Sequence, residues 1–153
     1  MSKSIFNYQI IMLLASLIAL TGCSDKKQIF TETSCSVDAV NGSGELIVAT
    51  KRNSVLVVAG WAFDKLSKQT PESISINLVS STGMVSKLAE GIKVTVARPD
   101  VSAVYNAPSI TNAGFGISVQ LKSQTPGTYE LQILQHFSDR ILVCKSNKSI
   151  KIE

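Results

Sequence analysis

The sequence predicts an all-β domain, a β-sandwich of seven to eight short strands with one disulfide and at most one short helix. Three observations predict it. After residue 34 apolar residues alternate with polar ones, turn-forming residues separate these runs, and two cysteines remain to pair once an N-terminal leader is set aside. A period of two is typical of strands with one buried face, and short strands at this spacing are typical of a sandwich.

The first 22 residues are predicted to be a signal peptide, not part of the fold. Residues 1–9 carry one lysine and no acid, and residues 10–20 are apolar except for one serine. A basic start followed by an apolar core of about 7–15 residues is the pattern of a signal peptide. A membrane-spanning helix would need about 20 apolar residues. We therefore expect the protein to be exported.

The end of this leader, Leu20-Thr21-Gly22-Cys23, resembles a bacterial lipobox. The resemblance implies cleavage before Cys23 and attachment of diacylglycerol to its thiol, so the protein would be a membrane-anchored lipoprotein. The alternative is a buried cysteine after a short apolar helix. In lipoproteins of this type a serine at position 24 favours the outer membrane of a Gram-negative host, with the domain on either the periplasmic or the exterior side. The predicted organisation is a signal peptide (1–22), a lipidated cysteine with a flexible tether (23–33) and one domain (34–153).

Size and charge limit the classes of partner. The 131 residues left after cleavage suffice for one domain with its own core. They contain 14 basic and 11 acidic residues, a formal charge of +3, and the lysines are scattered along the chain. Because no basic stripe is interleaved with aromatic residues, nucleic acid is not an expected partner. Loose attraction to anionic surface polymers stays an alternative.

Cys35 and Cys144 are predicted to form a disulfide. They are the even pair that remains after lipidation of Cys23, and an exported domain folds in an oxidising compartment. Such a bridge is worth about 4–5 kcal/mol in the chain-entropy model. A metal pair or a catalytic thiol is the alternative, but neither cysteine lies in a C-x-x-C motif and the lone His136 has no obvious partner group.

The predicted strands follow the alternation in order. Residues 54–63 are apolar on both faces and are predicted to be a central strand. Period-two runs and shorter candidates supply the others, namely 36–40, 45–49, 73–78, 92–96, 115–121, 129–137, 140–144 and 149–152. Turn residues such as Gly42 and Pro126 separate them. One short helix is expected over residues 101–105, with Asp100 as its cap.

Four landmarks carry a second resemblance. In order they are Cys35-Ser-Val-Asp-Ala-Val-Asn-Gly42, Gly60-Trp61-Ala62-Phe63-Asp64, Arg98-Pro99-Asp100-Val101 and Gly114-Phe115. As an ordered set they resemble a small module of bacterial envelope and polysaccharide-related proteins, in which a GWA-x-D strand precedes an RPDV turn and a GF strand. The resemblance covers roughly residues 35–152. It implies an immunoglobulin-like sandwich and assigns no catalytic role to these residues.

Trp61, Asp64, Arg98 and Asp100 are the candidate site, and each has a structural alternative. Trp61 is either a core residue or a platform on which a sugar stacks. Arg98 either forms a structural clasp, a bidentate salt bridge with Asp64, or grips a ligand. A calcium site at Asp64 and Asp100 would need several more oxygen ligands, and no ladder of acidic residues supplies them. No metal or other cofactor is therefore expected.

Enzyme templates fit this sequence poorly. The single histidine, His136, lies in a strand-like run, and no G-x-S-x-G motif is present for a nucleophile elbow. Phosphate loops, H-E-x-x-H and a distinctive carboxylate pair are also absent from the sequence. We expect a non-catalytic binding or structural module of the cell envelope, in contact with polysaccharide. The alternative is a protein-interaction lipoprotein, either an accessory subunit of an envelope complex or an inhibitor of a periplasmic lytic enzyme.

Overall fold

A computed structural model describes residues 27–122 and 124–153. The predicted signal peptide, the lipobox with Cys23 and the first residues of the predicted tether lie outside the described residues. The all-β prediction is confirmed, since the described chain is built from strands with one short α-helix and one 3₁₀ turn. No helix in these ranges has the length and hydropathy required to cross a bilayer.

The described residues form nine strands. Most of them match ranges predicted from the sequence, but the strands at 28–32 and 85–92 were not predicted, apart from residue 92. The strands are β1 (Gln28–Glu32), β2 (Cys35–Val40), β3 (Ile47–Thr50), β4 (Val55–Ala62), β5 (Ser73–Ser80), β6 (Val85–Ile92), β7 (Gly114–Gln120), β8 (Gly127–His136) and β9 (Arg140–Ile152). The helix α1 (Pro99–Val104) and the 3₁₀ turn (Pro108–Ile110) lie between β6 and β7.

Two sheets make the sandwich. The larger has the order β1-β9-β8-β5-β6, and β3 also pairs with β9, beyond the end of β1. The smaller has the order β2-β4-β7. Cys35 of β2 and Cys144 of β9 are joined by a disulfide with a Cα–Cα distance of 6.3 Å. The predicted disulfide is therefore confirmed, and it links one sheet to the other.

The core fills the space between the sheets. Alternate residues of β4, such as Leu56 and Val58, pack in one buried cluster with Ile76 of β5 and Leu131 and Ile133 of β8. This burial follows the period-two pattern seen in the sequence. The prediction that β4 is a central strand is confirmed, but only one of its apolar faces is buried.

Three elements differ from the sequence-based expectation. β1 lies within the predicted tether and pairs in parallel with β9, a long-range contact that its local pattern does not reveal. Residues 92–96 were expected to form a strand, but β6 ends at Ile92 and only Val96 continues as an isolated bridge to Gly114. Residues 140–152 form one continuous strand instead of two. The sequence of β6 does not alternate between apolar and polar residues, and its pairing with β5 contains bulges.

Candidate functional site

Trp61 lies on the outer face of the smaller sheet, where it is only partly buried. Its neighbours in β4, Gly60 and Ala62, point into the sandwich, so the alternation of the strand turns the indole outward. Opposite Trp61 stand Ser36 of β2 and Gly114 of β7. Both neighbours are small, and the ring is therefore not covered from within its own sheet. Trp61 is outside the main core.

A second apolar cluster holds the indole in place. The Trp61 ring stacks on Phe63 with centroids 5.6 Å apart, and Tyr105 meets both rings edge-on at 5.8 and 4.8 Å. Phe63 is fully buried among Val101 of α1 and other apolar residues. Offset and edge-to-face pairs at these distances are favourable. The indole is thus held against this second cluster and stays partly exposed.

Arg98 is held by two aspartates. Its Nε and Nη2 donate to the two carboxylate oxygens of Asp100 at 2.9 and 2.7 Å, and its Nη1 donates to Asp38 at 2.5 Å. The predicted salt bridge between Arg98 and Asp64 is wrong. Asp100, two residues away, offers the bidentate geometry that a guanidinium prefers, and Asp38 of β2 takes the remaining side of the group.

The path of the Arg98 side chain places this ion cluster on the same face as Trp61. The Cγ atom lies above Gly114 of β7, whereas the guanidinium reaches Asp38 of β2. Since β4 lies between these two strands, the side chain crosses the outer face of β4. Three of the five N–H donors of Arg98 are occupied by its aspartates. Because most of its donors are occupied, Arg98 is better placed to hold the two aspartates in position than to bind an anion.

Asp100 does not cap α1 as expected. The helix begins at Pro99 with Arg98 in the capping position, and no side chain caps it. The Asp100 carboxylate turns to Arg98, and this hydrogen bond lowers the pKa of Asp100 to about 2. Hydrogen bonding to Asp100, followed by that to Asp38, raises the pKa of Arg98. Arg98 and Asp100 therefore form an ion pair at neutral pH, and Asp38 adds a second carboxylate on the other side of the guanidinium.

Asp64 belongs to a different part of the molecule. Its buried carboxylate accepts hydrogen bonds from the backbone N–H of Leu66 (2.8 Å), from Ser67 Oγ (2.7 Å) and from Arg140 Nη2 (2.5 Å). Burial raises the pKa of Asp64, but these hydrogen bonds outweigh it and the net pKa is lowered. The contacts with Leu66 and Ser67 lie within the turn after β4, and the contact with Arg140 joins this turn to β9. Asp64 therefore stabilises the fold and does not face Trp61.

We define the Trp61 face as Trp61, Tyr105, Ala59, Gly116, Asp38, Arg98 and Asp100. Ala59 and Gly116 are register partners on its floor, and a Cβ added to Gly116 would meet no atom within 4 Å. Lys68 borders the face, with its Nζ 5.6 Å from the Tyr105 ring centroid. Together the charges of Arg98, Lys68, Asp38 and Asp100 sum to zero. The face therefore combines a partly exposed aromatic ring with charged side chains whose formal charges cancel.

Sequence reasoning singled out Trp61, Arg98 and Asp100, which the fold brings to one face, and Asp64, which it does not. It missed Tyr105 and Asp38 as members. Asp38 lies inside the first landmark, and Tyr105 follows the RPDV turn by one helical turn. Only this closeness to the motifs could have indicated Asp38 and Tyr105, because the contacts of Asp38 with Arg98 and of Tyr105 with Trp61 are long-range.

His136 has no catalytic neighbourhood among the described residues. Its Nε2 is 2.8 Å from Ser75 Oγ, and no carboxylate is hydrogen-bonded to the ring in residues 27–122 and 124–153. Burial lowers the pKa of His136, so the ring is neutral at pH 7. In the same part of the chain no group of three or more His, Cys, Asp or Glu side chains is placed to hold a metal ion.

In comparisons with known proteins, no protein-family model and no curated protein matches this chain.

Proposed function

We propose that this protein is a non-catalytic, lipid-anchored binding module of the cell envelope, and that its Trp61 face binds an uncharged stretch of envelope polysaccharide. The observation that carries the proposal is the position of Trp61. The indole stands on an outer sheet face, is braced by Phe63 and Tyr105, and has small residues beside it. Binding sites combine such apolar contact area with a few polar groups that fix orientation.

The polar groups next to the indole suit hydroxyl groups. Asp38 and Asp100 keep carboxylate oxygens that can accept hydrogen bonds, and Arg98 holds both in place. Asp100 is mostly exposed and Asp38 is partly exposed, so a ligand can reach them. Because the local charges cancel, neither an acidic nor a basic polymer is attracted strongly. These features favour neutral sugar rings over uronic acids.

The test measures binding of the full-length lipidated protein, in detergent micelles, to neutral and acidic fractions of envelope polysaccharide. Isothermal titration should show binding to a neutral fraction, and Trp61→Ala should weaken it at least tenfold, about 1.4 kcal/mol. Asp100→Asn should weaken it less. Circular dichroism checks that each variant keeps its strands. Equal affinity of wild type and Trp61→Ala would overturn the proposal.

A protein partner is the second candidate, and one observation favours it. Val55 and Val57 precede Trp61 on the outer face of β4 and are 51% and 45% exposed. The exposed valines lengthen the aromatic site into an apolar strip of the kind found at protein interfaces. Val57→Ser is therefore the variant that distinguishes a glycan ligand from a protein partner. It should leave sugar binding unchanged if the ligand is a glycan, and it should abolish co-purification of a stoichiometric protein if the partner is a protein.

A further inference from the structure

We infer that the outer face of the larger sheet, at its β1 edge, lies against the bilayer that holds the Cys23 lipid. The inference rests on the lipid anchor in the proposed function and adds the orientation of the domain. Three observations carry it: the short distance along the chain from Cys23 to β1, the fixed position of β1 in the sheet, and the apolar residues exposed beside it.

The chain between the anchor and the domain is short. Only three residues separate Cys23 from Lys27, and β1 begins at the next residue, Gln28. A fully extended chain advances about 3.3–3.6 Å per residue, so the Cα of Lys27 lies no more than about 14 Å from that of Cys23. The predicted tether of residues 23–33 would have reached more than twice as far.

Detaching β1 from the sheet to lengthen this connection would break its pairing with β9. It pairs with β9 in parallel over five residues, from Gln28 opposite Arg140 to Glu32 opposite Cys144. Cys144 is itself fixed to β2 by the disulfide. The start of β1, opposite Arg140, is therefore held to the sheet by this pairing, and the residue before it, Lys27, lies within about 14 Å of the anchored cysteine.

The surface next to that point is apolar. Ile29 is 69% exposed and stands opposite Ile141 on the outer side of the larger sheet. Val143 follows Ile141 on the same side of β9, and its register partner in β8 is Leu134. These three neighbours are partly buried. We call Ile29, Ile141, Val143 and Leu134 the β1 patch; it would leave water on contact with lipid.

Charge agrees with this assignment. Lys27 precedes the patch, and Lys145 follows Val143 on the same side of β9 and is exposed. A lysine close to an anionic leaflet is attracted to it. Of the acids at this edge, Asp139 is paired with Arg140, and Glu32 of β1 accepts hydrogen bonds from Thr33 and Ser34. The patch thus combines one exposed and three partly buried aliphatic side chains with basic residues at its rim, as membrane-surface elements do.

This orientation has a consequence for the Trp61 face. The two sheets of a sandwich pack face to face about 10 Å apart, so their outer faces point in opposite directions. If the β1 patch rests on the bilayer, the Trp61 face points away from it. The domain would then hold its ligand-binding surface toward the polymers of the envelope, with no need for a long tether.

The test places a single tryptophan on either face of the anchored protein. In a Trp61→Phe background, Ile29→Trp reports on the β1 patch and Val57→Trp is the control on the opposite face. Both full-length, lipidated proteins are reconstituted in vesicles of phosphatidylethanolamine, phosphatidylglycerol and brominated phosphatidylcholine. Bromine should quench the Ile29→Trp fluorescence at least twofold and leave that of Val57→Trp unchanged. Equal quenching of the two, or stronger quenching of Val57→Trp, would overturn the inference.

Two further measurements distinguish a wrong orientation of the domain from a missing lipid anchor. Neither measurement requires a substitution in the β1 patch. Mass spectrometry of Cys23 reports acylation, and a missing acyl mass would overturn both the anchor and the orientation. Acetylation of lysines in the vesicle-bound wild type should be at least threefold slower at Lys145 than in the unanchored Cys23→Ala protein, with Lys68 unchanged. Acylated protein in which Lys145 is not protected would overturn the orientation alone.

Discussion

The side chain of Arg98 occupies the space that a side chain at Gly114 would fill. A Cβ built on Gly114 would lie 2.8 Å from Arg98 Cγ and 2.7 Å from the carbonyl oxygen of Val96. Gly114 is also the register partner of Trp61. The RPDV and GF motifs are therefore one structural unit, in which glycine lets the arginine lie across the sheet beside the indole. Close approach, and not an unusual backbone angle, requires this glycine.

Gly114→Ala should destabilise the domain by about 1–3 kcal/mol, the usual cost of forcing a methyl group into packed space. Urea unfolding followed by circular dichroism measures the change. Gly116→Ala is the matched control, because it lies on the same face of β7 with open space above it. It should change stability by less than about 0.5 kcal/mol. Equal effects of the two variants would contradict the packing of Arg98 on Gly114.

Asp64 and Arg140 should show strong energetic coupling. The side chains of Asp64 and Arg140 are 6% and 23% exposed, so their interaction is only weakly screened by solvent. Asp64→Ala also removes acceptors for Leu66 and Ser67, and it should cost about 2–3 kcal/mol. Asp139→Ala removes the exposed partner of Arg140 and should cost less than about 0.5 kcal/mol. Double-mutant cycles with Arg140→Ala measure both couplings, and a larger value for Asp139 would refute the assignment.

Stability should fall as the solution becomes acidic. The folded-state pKa values of Asp64 and Asp100 lie below their ordinary value of 3.8, that of Asp100 at about 2. At pH values between the folded-state pKa and the ordinary pKa, the unfolded chain binds more protons than the folded protein does. The free energy of unfolding therefore rises with pH in this range. The contribution is complete above about pH 5 and is lost as pH falls toward 2. Asp64→Asn should flatten this dependence; an unchanged slope would show that Asp64 does not contribute.

Loss of the disulfide should lower stability without changing the fold. The bridge spans 109 positions of sequence, for which the chain-entropy model gives at most about 4–5 kcal/mol. The Cys35→Ala/Cys144→Ala protein should unfold at lower urea concentration and with a larger exposed surface in its unfolded state. The wild type under reducing conditions is the control and should match it. A double variant as stable as the oxidised wild type would mean that the bridge adds no net stability.

Local sequence patterns anticipated much of the architecture. Alternation located β5, β7 and β8, because a strand with one buried face must place apolar side chains at every second position. A continuous apolar run located β4. The pairing of Cys35 with Cys144 followed from cysteine count and compartment alone. Where burial does not alternate, as in the bulged β6, the pattern carries no such information. β1 was not predicted for a related reason. Four of its five residues are exposed, so burial does not alternate along it.

By itself, the sequence determined the class of this protein: an all-β domain with one disulfide, whose aromatic and charged motifs occur in a recognisable order. Only the tertiary structure decided which of those motifs meet. Arg98 binds Asp38 and Asp100, while Asp64 binds Arg140 at the other end of the chain. The physical reason is that burial leaves a periodic trace along each strand, whereas an ion pair between distant residues depends on strand order and register, which leave none.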